Sequence, residues 1–540
     1  MYRTTASAAV AAALLGLAAS SAHAAKPEHH ADPIACTLDG VRGLALPGTT
    51  ITLVESLAAG TYPSPSPVGT IALPICRVAG TVTAGSIPNG VSQIKFEVWM
   101  PTDQWNGKFQ GVGNGGLAGS IGYGAMRTAL ATGYATGSTD TGHVSGDTLW
   151  FRNDQAVIDN GYRGIHEMTV KSKAIVAGFY GKAAKYSYFN GCSTGGGQGF
   201  AEVQRYPDDY DGVLAGAPNW RPTRLRSGAH VWSWVTVRPQ PLGTPAVNIL
   251  PSSVLPTIGN AVLDACDALD GVTDRIIEDP RRCTFDPAGI ASLSAAQVEA
   301  VRKLYGGSKD PVDGTEIFPG YARGAEFGWN GLFGGANPFG AANDFLRNTL
   351  FFGIPNYDFR SFNFHTDVQR YDQLYAGVLN AESVDLDDFA KRGGKMIVYH
   401  GWSDPLIPTY NTLEYWSELV DHYGGRRNDH AGFERVGKFA RLFLVPGMGH
   451  CSGGQNSPTD SFDGMGALEQ WVEHGKKPKK IIASHVTSGV VDKTRPLCLY
   501  PRVAMYKGEG DTNDAANFVC RRPESLRDRH DRDDDDDRDD

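Results

Sequence analysis

Three residue types at three places could together carry out acyl transfer. The first is Ser193, in Gly191-Cys192-Ser193-Thr194-Gly195, which follows the aromatic run Tyr186-Ser187-Tyr188-Phe189-Asn190. A strand entering Gly-x-Ser-x-Gly predicts a sharp strand-to-helix turn. The glycines sit where side chains would collide, and the serine hydroxyl is lifted clear of the sheet. In a chain with 66 glycines the pattern alone is weak. Serine is a poor nucleophile unless a base takes its proton. His450, in Pro446-Gly447-Met448-Gly449-His450-Cys451 after the apolar run Arg441–Val445, is the candidate base. Asp404, in His400-Gly401-Trp402-Ser403-Asp404-Pro405 after Lys395–Tyr399, is the candidate acid that would orient the imidazole. His400 and Asp460 compete for these two roles.

The cysteines bear on the same site. There are eight: Cys36, Cys76, Cys192, Cys266, Cys283, Cys451, Cys498 and Cys520. The chain has no Cys-x-x-Cys and no Cys/His cluster at zinc spacing, so disulfides are the expected use. Spacing suggests the local pairs Cys36–Cys76, Cys266–Cys283 and Cys498–Cys520. That leaves Cys192 and Cys451, the neighbours of Ser193 and His450. If hydroxyl and imidazole meet, those two Cα atoms come within disulfide range. A bridge there would staple two loops about 260 positions apart and pre-organise the pair.

The elements that must position these residues follow from composition and pattern. The chain has 540 residues, 20% charged and 41% hydrophobic, which suits one large core with an insertion or two domains. Arg3, the run Ala8–Ala19 and Ala22-His23-Ala24 mark residues 1–24 as a signal peptide; the apolar run is too short to span a bilayer. Of the net charge of −9, ten acidic residues and four arginines from Glu524 to Asp540 account for −6, leaving −3 elsewhere. Such a body offers no attraction for nucleic acid or an anionic membrane, and residues 523–540 read as a disordered acidic tail.

Strands are expected at Ile94–Met100, Lys108–Val112, Ala131–Thr139, Tyr186–Asn190, Leu214–Pro218, Lys395–Tyr399 and Arg441–Val445. Helices are expected at Gly164–Tyr180, Asn411–Tyr423 and Gly464–Gly475. The alternation predicts an α/β protein with a mostly parallel sheet covered on both faces. With Ser193, Asp404 and His450 in that order after strands, the expected architecture is an α/β-hydrolase fold with a large inserted lid domain. The core would take residues 25–219 and 395–522. Residues 220–394, rich in Trp, Phe, Pro, Gly and Asn, would form the lid.

Four features within this frame invite roles. Gly113-Asn114-Gly115-Gly116 lacks the lysine of a phosphate loop and reads as an oxyanion loop, whose N–H groups approach the reacting oxygen; a plain glycine-rich turn is the other reading. His143 is either catalytic or a surface or supporting histidine. Asp267, Asp270 and Asp274 surround Gly271 on a loop closed by Cys266 and Cys283. Hard oxygen ligands there suit Ca²⁺, although EF-hand spacing is absent; a surface turn pinned by a disulfide is the other reading. The aromatic segment Phe327–Phe352 is lid core or one wall of an aromatic pocket, and Arg347 within it is a carboxylate holder or a surface arginine.

The chain resembles the tannase and feruloyl esterase family. The resemblance rests on Gly191-Cys192-Ser193-Thr194-Gly195-Gly196, Ser403-Asp404 and Gly449-His450-Cys451-Ser452-Gly453-Gly454. It extends to Trp105-Asn106-Gly107-Lys108, Tyr210-Asp211-Gly212-Val213, the Cys266–Cys283 loop and Arg495-Pro496-Leu497-Cys498. It implies a disulfide beneath the Ser-His-Asp set and an oxyanion hole from the N–H groups of Gly116 and Thr194. It also implies a structural Ca²⁺ held by Asp267, Asp270 and Asp274 with the Val272 and Ile276 carbonyls. The implied activity is hydrolysis of small aromatic esters, those of hydroxycinnamic or hydroxybenzoic acids, by an exported serine esterase. The family also contains terephthalate monoester hydrolysis, whose carboxylate-binding arginine has no counterpart in register here; Arg347 lies nearby. A reading from another class is a non-catalytic, Ca²⁺-dependent binding protein on a hydrolase scaffold.

Overall fold

The computed structural model describes residues 32–523, apart from residues 62, 64–68, 88–89, 426–428, 455 and 457. The expected signal peptide and most of the acidic tail lie outside the described residues. Nine strands form the main sheet: β1 (Thr49–Leu57), β2 (Ile75–Val82), β3 (Ile94–Pro101), β4 (Lys108–Val112), β5 (Ala135–Thr139), β6 (Tyr186–Cys192), β7 (Gly212–Gly216), β8 (Lys395–Gly401) and β9 (Ala440–Val445). Their order across the sheet is β1-β2-β3-β5-β4-β6-β7-β8-β9. The first four in this order pair antiparallel, and all pairings beyond β5 are parallel.

Burial explains the strand compositions. The central strands β5 and β7 are buried along their whole length, whereas edge strand β1 alternates with exposed positions. Phe189, Val213, Met396 and Val398 pack on one face of the sheet. Tyr188, Leu214, Ile397 and Phe443 pack on the other, under Leu468 and Trp471. The strand expected from Ala131 begins at Ala135. Ala131 instead ends helix α1 (Tyr123–Ala131), because Met126, Ala129 and Leu130 lie at helical spacing and are buried, and Gly133, at φ +87°, turns the chain.

Between β7 and β8 the chain leaves the sheet. This insert carries helices including Leu255–Cys266, Ala295–Gly306, Gly340–Asn348 and Thr366–Leu379. Trp234, Trp329, Phe333, Phe345, Phe351 and Tyr371 build a second buried cluster there, joined by Trp150 and Phe151 from the loop after β5. The C-terminal segment adds an antiparallel pair, Lys480–Thr487 with Val490–Cys498, and a hairpin of Val503–Tyr506 with Phe518–Arg521. No described helix is long and apolar enough to cross a membrane.

Candidate active site

Ser193 stands between β6 and the helix Thr194–Arg205 with φ 65° and ψ −121°. Few side chains adopt this conformation, and the surroundings hold it in place. The Ser193 N–H donates to Gly216 O at 2.9 Å, and Ser193 O accepts from Asn219 N at 3.1 Å. The flanking glycines are steric necessities. A Cβ on Gly191 would lie 2.6 Å from Gly195 backbone, and one on Gly196 would lie 2.2 Å from Gly216 O.

Asp404 and His450 come from the loops after β8 and β9. His450 Nδ1 lies 2.7 Å from Asp404 Oδ2. The other carboxylate oxygen accepts from Leu406 N at 2.8 Å and Ile407 N at 2.9 Å. Asp404 is buried. Burial alone would raise its pKa, but His450 and His400 outweigh that and hold the carboxyl below the usual carboxylate range. Burial disfavours charge on His450 as well, yet Asp404 outweighs it and raises the imidazole above its ordinary value. Asp460 accepts from Gly453 N and makes no contact with His450.

Cys192 and Cys451 are joined, with Cα atoms 5.9 Å apart and 259 positions between them in sequence. The other bridges are Cys36–Cys76, Cys266–Cys283 and Cys498–Cys520. Ser193, His450 and Cys451 line one cavity of about 450 Å³ with Gly115, Gly116, Leu225, Arg226, His230, Phe339 and Ile407. No hydrogen bond joins Ser193 Oγ to His450 in this structure; the two face the same cavity above their shared bridge. The N–H groups of Gly116 and Thr194 bond to no described residue, while Thr194 Oγ1 donates to Gly116 O.

Residues 76–521 match the family model described as tannase and feruloyl esterase. The chain belongs to the tannase and feruloyl esterase family. It is 36% identical to an uncharacterised esterase of Xanthomonas campestris pv. campestris, over 88% of this chain and 90% of that one. It is 35% identical to the mono(2-hydroxyethyl) terephthalate hydrolase of Piscinibacter sakaiensis, over 87% and 89%. The solved structure of feruloyl esterase B from Aspergillus oryzae matches with a TM-score of 0.78 at 28% identity, covering 89% of this chain and 98% of that one. The fold is therefore of the α/β-hydrolase type, and the protein is a carboxylic ester hydrolase.

Other candidates fall elsewhere in this esterase. His143 stacks on Trp150 at 4.0 Å and faces a neighbouring cavity rather than Ser193. Burial lowers its pKa. Arg347 donates to Asn343 Oδ1 and Asn337 Oδ1 and lines a separate cavity of about 790 Å³, away from Ser193. Of the aromatic segment, Phe339 reaches the Ser193 cavity, Phe345 and Phe351 are buried in the insert, and Phe352 is exposed. Asp267 and Asp270 are buried in the Cys266–Cys283 loop; Asp274 is paired with Arg495 and Lys493. Among the described residues, no three His, Cys, Asp or Glu side chains already converge as a metal cage.

Sequence reasoning missed the residues that support the site. Gln198 Nε2 donates to Asn114 Oδ1 and Gln198 Oε1 accepts from Asn114 N, both at 3.0 Å, which ties the glycine loop to the serine helix. Asn114 Nδ2 also donates to Ser120 O and Thr139 O. His400, weighed as the base, instead sits behind Asp404. Its Nε2 lies 3.1 Å from Asp404 Oδ2 and 3.0 Å from Ile407 O, and its Nδ1 lies 2.7 Å from Thr412 Oγ1. A short polar residue inside a glycine loop was the only signal for Asn114, and Gln198 had none.

Proposed function

We propose that the chain is an exported serine esterase acting on aromatic acid esters, of the hydroxycinnamic or hydroxybenzoic kind, through an acyl-enzyme on Ser193. The observation that carries this reading is the pair of buried Asp404 and half-buried His450, covalently tethered through Cys451–Cys192 to a strained serine that lines a largely apolar cavity. His450 Nε2 removes the Ser193 proton as Oγ attacks the ester carbonyl. The carbonyl oxygen turns negative against the free N–H groups of Gly116 and Thr194. The imidazolium, stabilised by Asp404, gives its proton to the departing alcohol. Water then repeats the sequence and releases the acid.

The apolar lining and the Phe339 wall suit an aromatic acyl group, and the cavity of about 450 Å³ has room for one. Four disulfides fit an oxidising compartment outside the cytoplasm. Ca²⁺ in the Cys266–Cys283 loop belongs to the same proposal. Asp267 and Asp270 fit it: both are buried, and Asp270 accepts only from Val272 N, so burial and Asp274 push it up to about 6. Asp274 would have to release Arg495 to join them, with the Val272 and Ile276 carbonyls completing the set. Such an ion would pin the loop and take no part in the acyl transfer.

A second reading, hydrolysis of a terephthalate monoester, is favoured by a cationic side chain, Arg226, in the cavity wall. A panel of methyl ferulate, methyl gallate and mono(2-hydroxyethyl) terephthalate, with Ser193→Ala as control and with and without chelator, tests the proposal. Turnover of at least one ester by the wild type and none by Ser193→Ala is expected. Equal turnover by both proteins would refute it.

A further inference from the structure

The helix Gly464–His474 is followed by Gly475-Lys476-Lys477-Pro478-Lys479-Lys480. No other stretch of five residues in the sequence holds four lysine or arginine side chains. All four lysines are exposed, on a backbone that is pinned from below. Gly475 turns the chain at φ 69°, Lys476 N donates to Gln470 O at 3.1 Å, and Pro478 O accepts from Arg441 Nη1 at 2.9 Å. Lys479 O accepts from Leu499 N at 3.1 Å, and Lys480 opens the strand Lys480–Thr487. A helix C-terminus favours cations close to its last turn, which accounts for Lys476 and Lys477 but not for two more beyond them.

No described carboxylate answers this charge. Glu469 and Glu473, on the preceding helix, pair with Lys108, and none of the four lysines makes an ion pair among the described residues. Lys395, at the start of β8, is close enough that Lys477 adds to burial in lowering its pKa. Ammonium groups crowded in this way repel one another until an anion joins them. The sequence supplies such an anion, and the fold delivers it here. Residues 524–540 hold ten acidic residues and four arginines, and seven of the acids fall within 533–540. Lys480 faces Cys498 across the antiparallel strands, and Cys498 is bonded to Cys520 with Cα atoms 5.6 Å apart. Facing residues of such a pair lie about 5.5 Å apart at most, which puts Lys480 within about 11 Å of Cys520. Residue 524 comes four positions later, and the seventeen residues from there on can reach about 60 Å when extended.

We infer that the acidic segment 524–540 docks on the lysine turn 476–480 of its own chain. The rest of the chain carries a net charge of −3, which disfavours a polyanion arriving from outside. The tether instead holds the segment beside the turn at an effective concentration on the order of millimolar. The contact is electrostatic and exposed, so salt weakens it. It covers the lysines against other acidic polymers. The turn is bonded to Arg441, at the start of β9, whereas His450 follows the far end of that strand, so the docked segment leaves the ester cavity open.

Zero-length carbodiimide coupling of the full chain, followed by digestion and mass spectrometry of the monomer band, tests the contact. Carboxylates of residues 524–540 should be joined to Lys476, Lys477, Lys479 and Lys480 in preference to every other lysine, and 0.5 M NaCl should lower the yield of these links at least fivefold. Links spread evenly over the lysines, links indifferent to salt, or links confined to a dimer band would overturn the inference. A heparin column supplies a second arm. Asp533→Asn, Asp534→Asn, Asp535→Asn, Asp536→Asn and Asp537→Asn together should uncover the lysines and bind heparin at least tenfold more tightly than wild type. Adding Lys476→Ser, Lys477→Ser, Lys479→Ser and Lys480→Ser should remove that gain, and a gain that survives the serine changes would contradict the docking site. Turnover of p-nitrophenyl acetate should be the same in all three proteins; a tenfold loss on the serine changes would overturn the placement of the contact away from the cavity.

Discussion

On the core side of the cavity Asp404 accepts four hydrogen bonds, from His450, His400, Leu406 and Ile407, and a disulfide ties the histidine loop to the serine loop. On the insert side Arg226 has one neutral partner and His230 leaves Nδ1 unpartnered. The first wall is saturated and covalently braced, as a group that must meet a transition state in one geometry requires. The second wall keeps polar capacity in reserve. The contrast fits the proposed division of tasks, with the chemistry on the sheet-end loops and the insert facing the acyl group.

The largest effect should come from the serine. Ser193→Ala is expected to lower kcat by about 10⁶-fold with an unchanged far-UV spectrum, as loss of a nucleophile does in comparable triads. An activity loss smaller than a hundredfold would erase the distinction between the walls. Asp404→Asn should cost about 10⁴-fold, because the amide favours the wrong imidazole tautomer and no longer stabilises the imidazolium. The pH profile should sharpen the point. His450 must be neutral to act as base, so kcat/KM of the wild type should fall as pH drops through its raised pKa, at an inflection above about 6.5. In Asp404→Asn that inflection should move to lower pH, since the group raising it is gone; an unmoved inflection would assign the titration to another residue.

Smaller effects probe the bracing. The double change Cys192→Ser with Cys451→Ser should lower activity and cost about 2–4 kcal/mol in denaturant unfolding. Activity should be lost at milder reduction than insert structure, as near-UV circular dichroism reports. Gln198→Leu should reduce kcat about tenfold by freeing the Asn114 loop, with little change in KM. Chelation should act on the other region only, lowering Tm by a few degrees and leaving the pH profile of kcat unmoved. A chelator that abolished turnover at unchanged Tm would contradict the structural role given to Ca²⁺.

The serine side of the site was legible because it is written locally. Gly191, Ser193 and Gly195 share one turn, and Cys192 and Cys451 carry the long-range contact in their spacing. Strands β4 and β8 and the helix Gly164–Tyr180 could be placed because long apolar runs and helical periodicity survive without context. The insert side was not legible in this way. Arg226 gains meaning only when the turn after β7 meets Phe345 and Tyr371, more than a hundred positions on. Gln198 and His400 likewise act through partners that the sheet order brings together. Helix α1 was missed because its short buried face precedes a strand of similar composition.

The account depends on Ser193 being an activated nucleophile. Intact-mass spectrometry after exposure to a serine-reactive fluorophosphonate tests this most directly. The account predicts a single adduct on the wild-type protein, mapped by digestion to Ser193, formed faster as pH rises and absent from Ser193→Ala. No adduct on folded wild type, or one mapped to another residue, would contradict it.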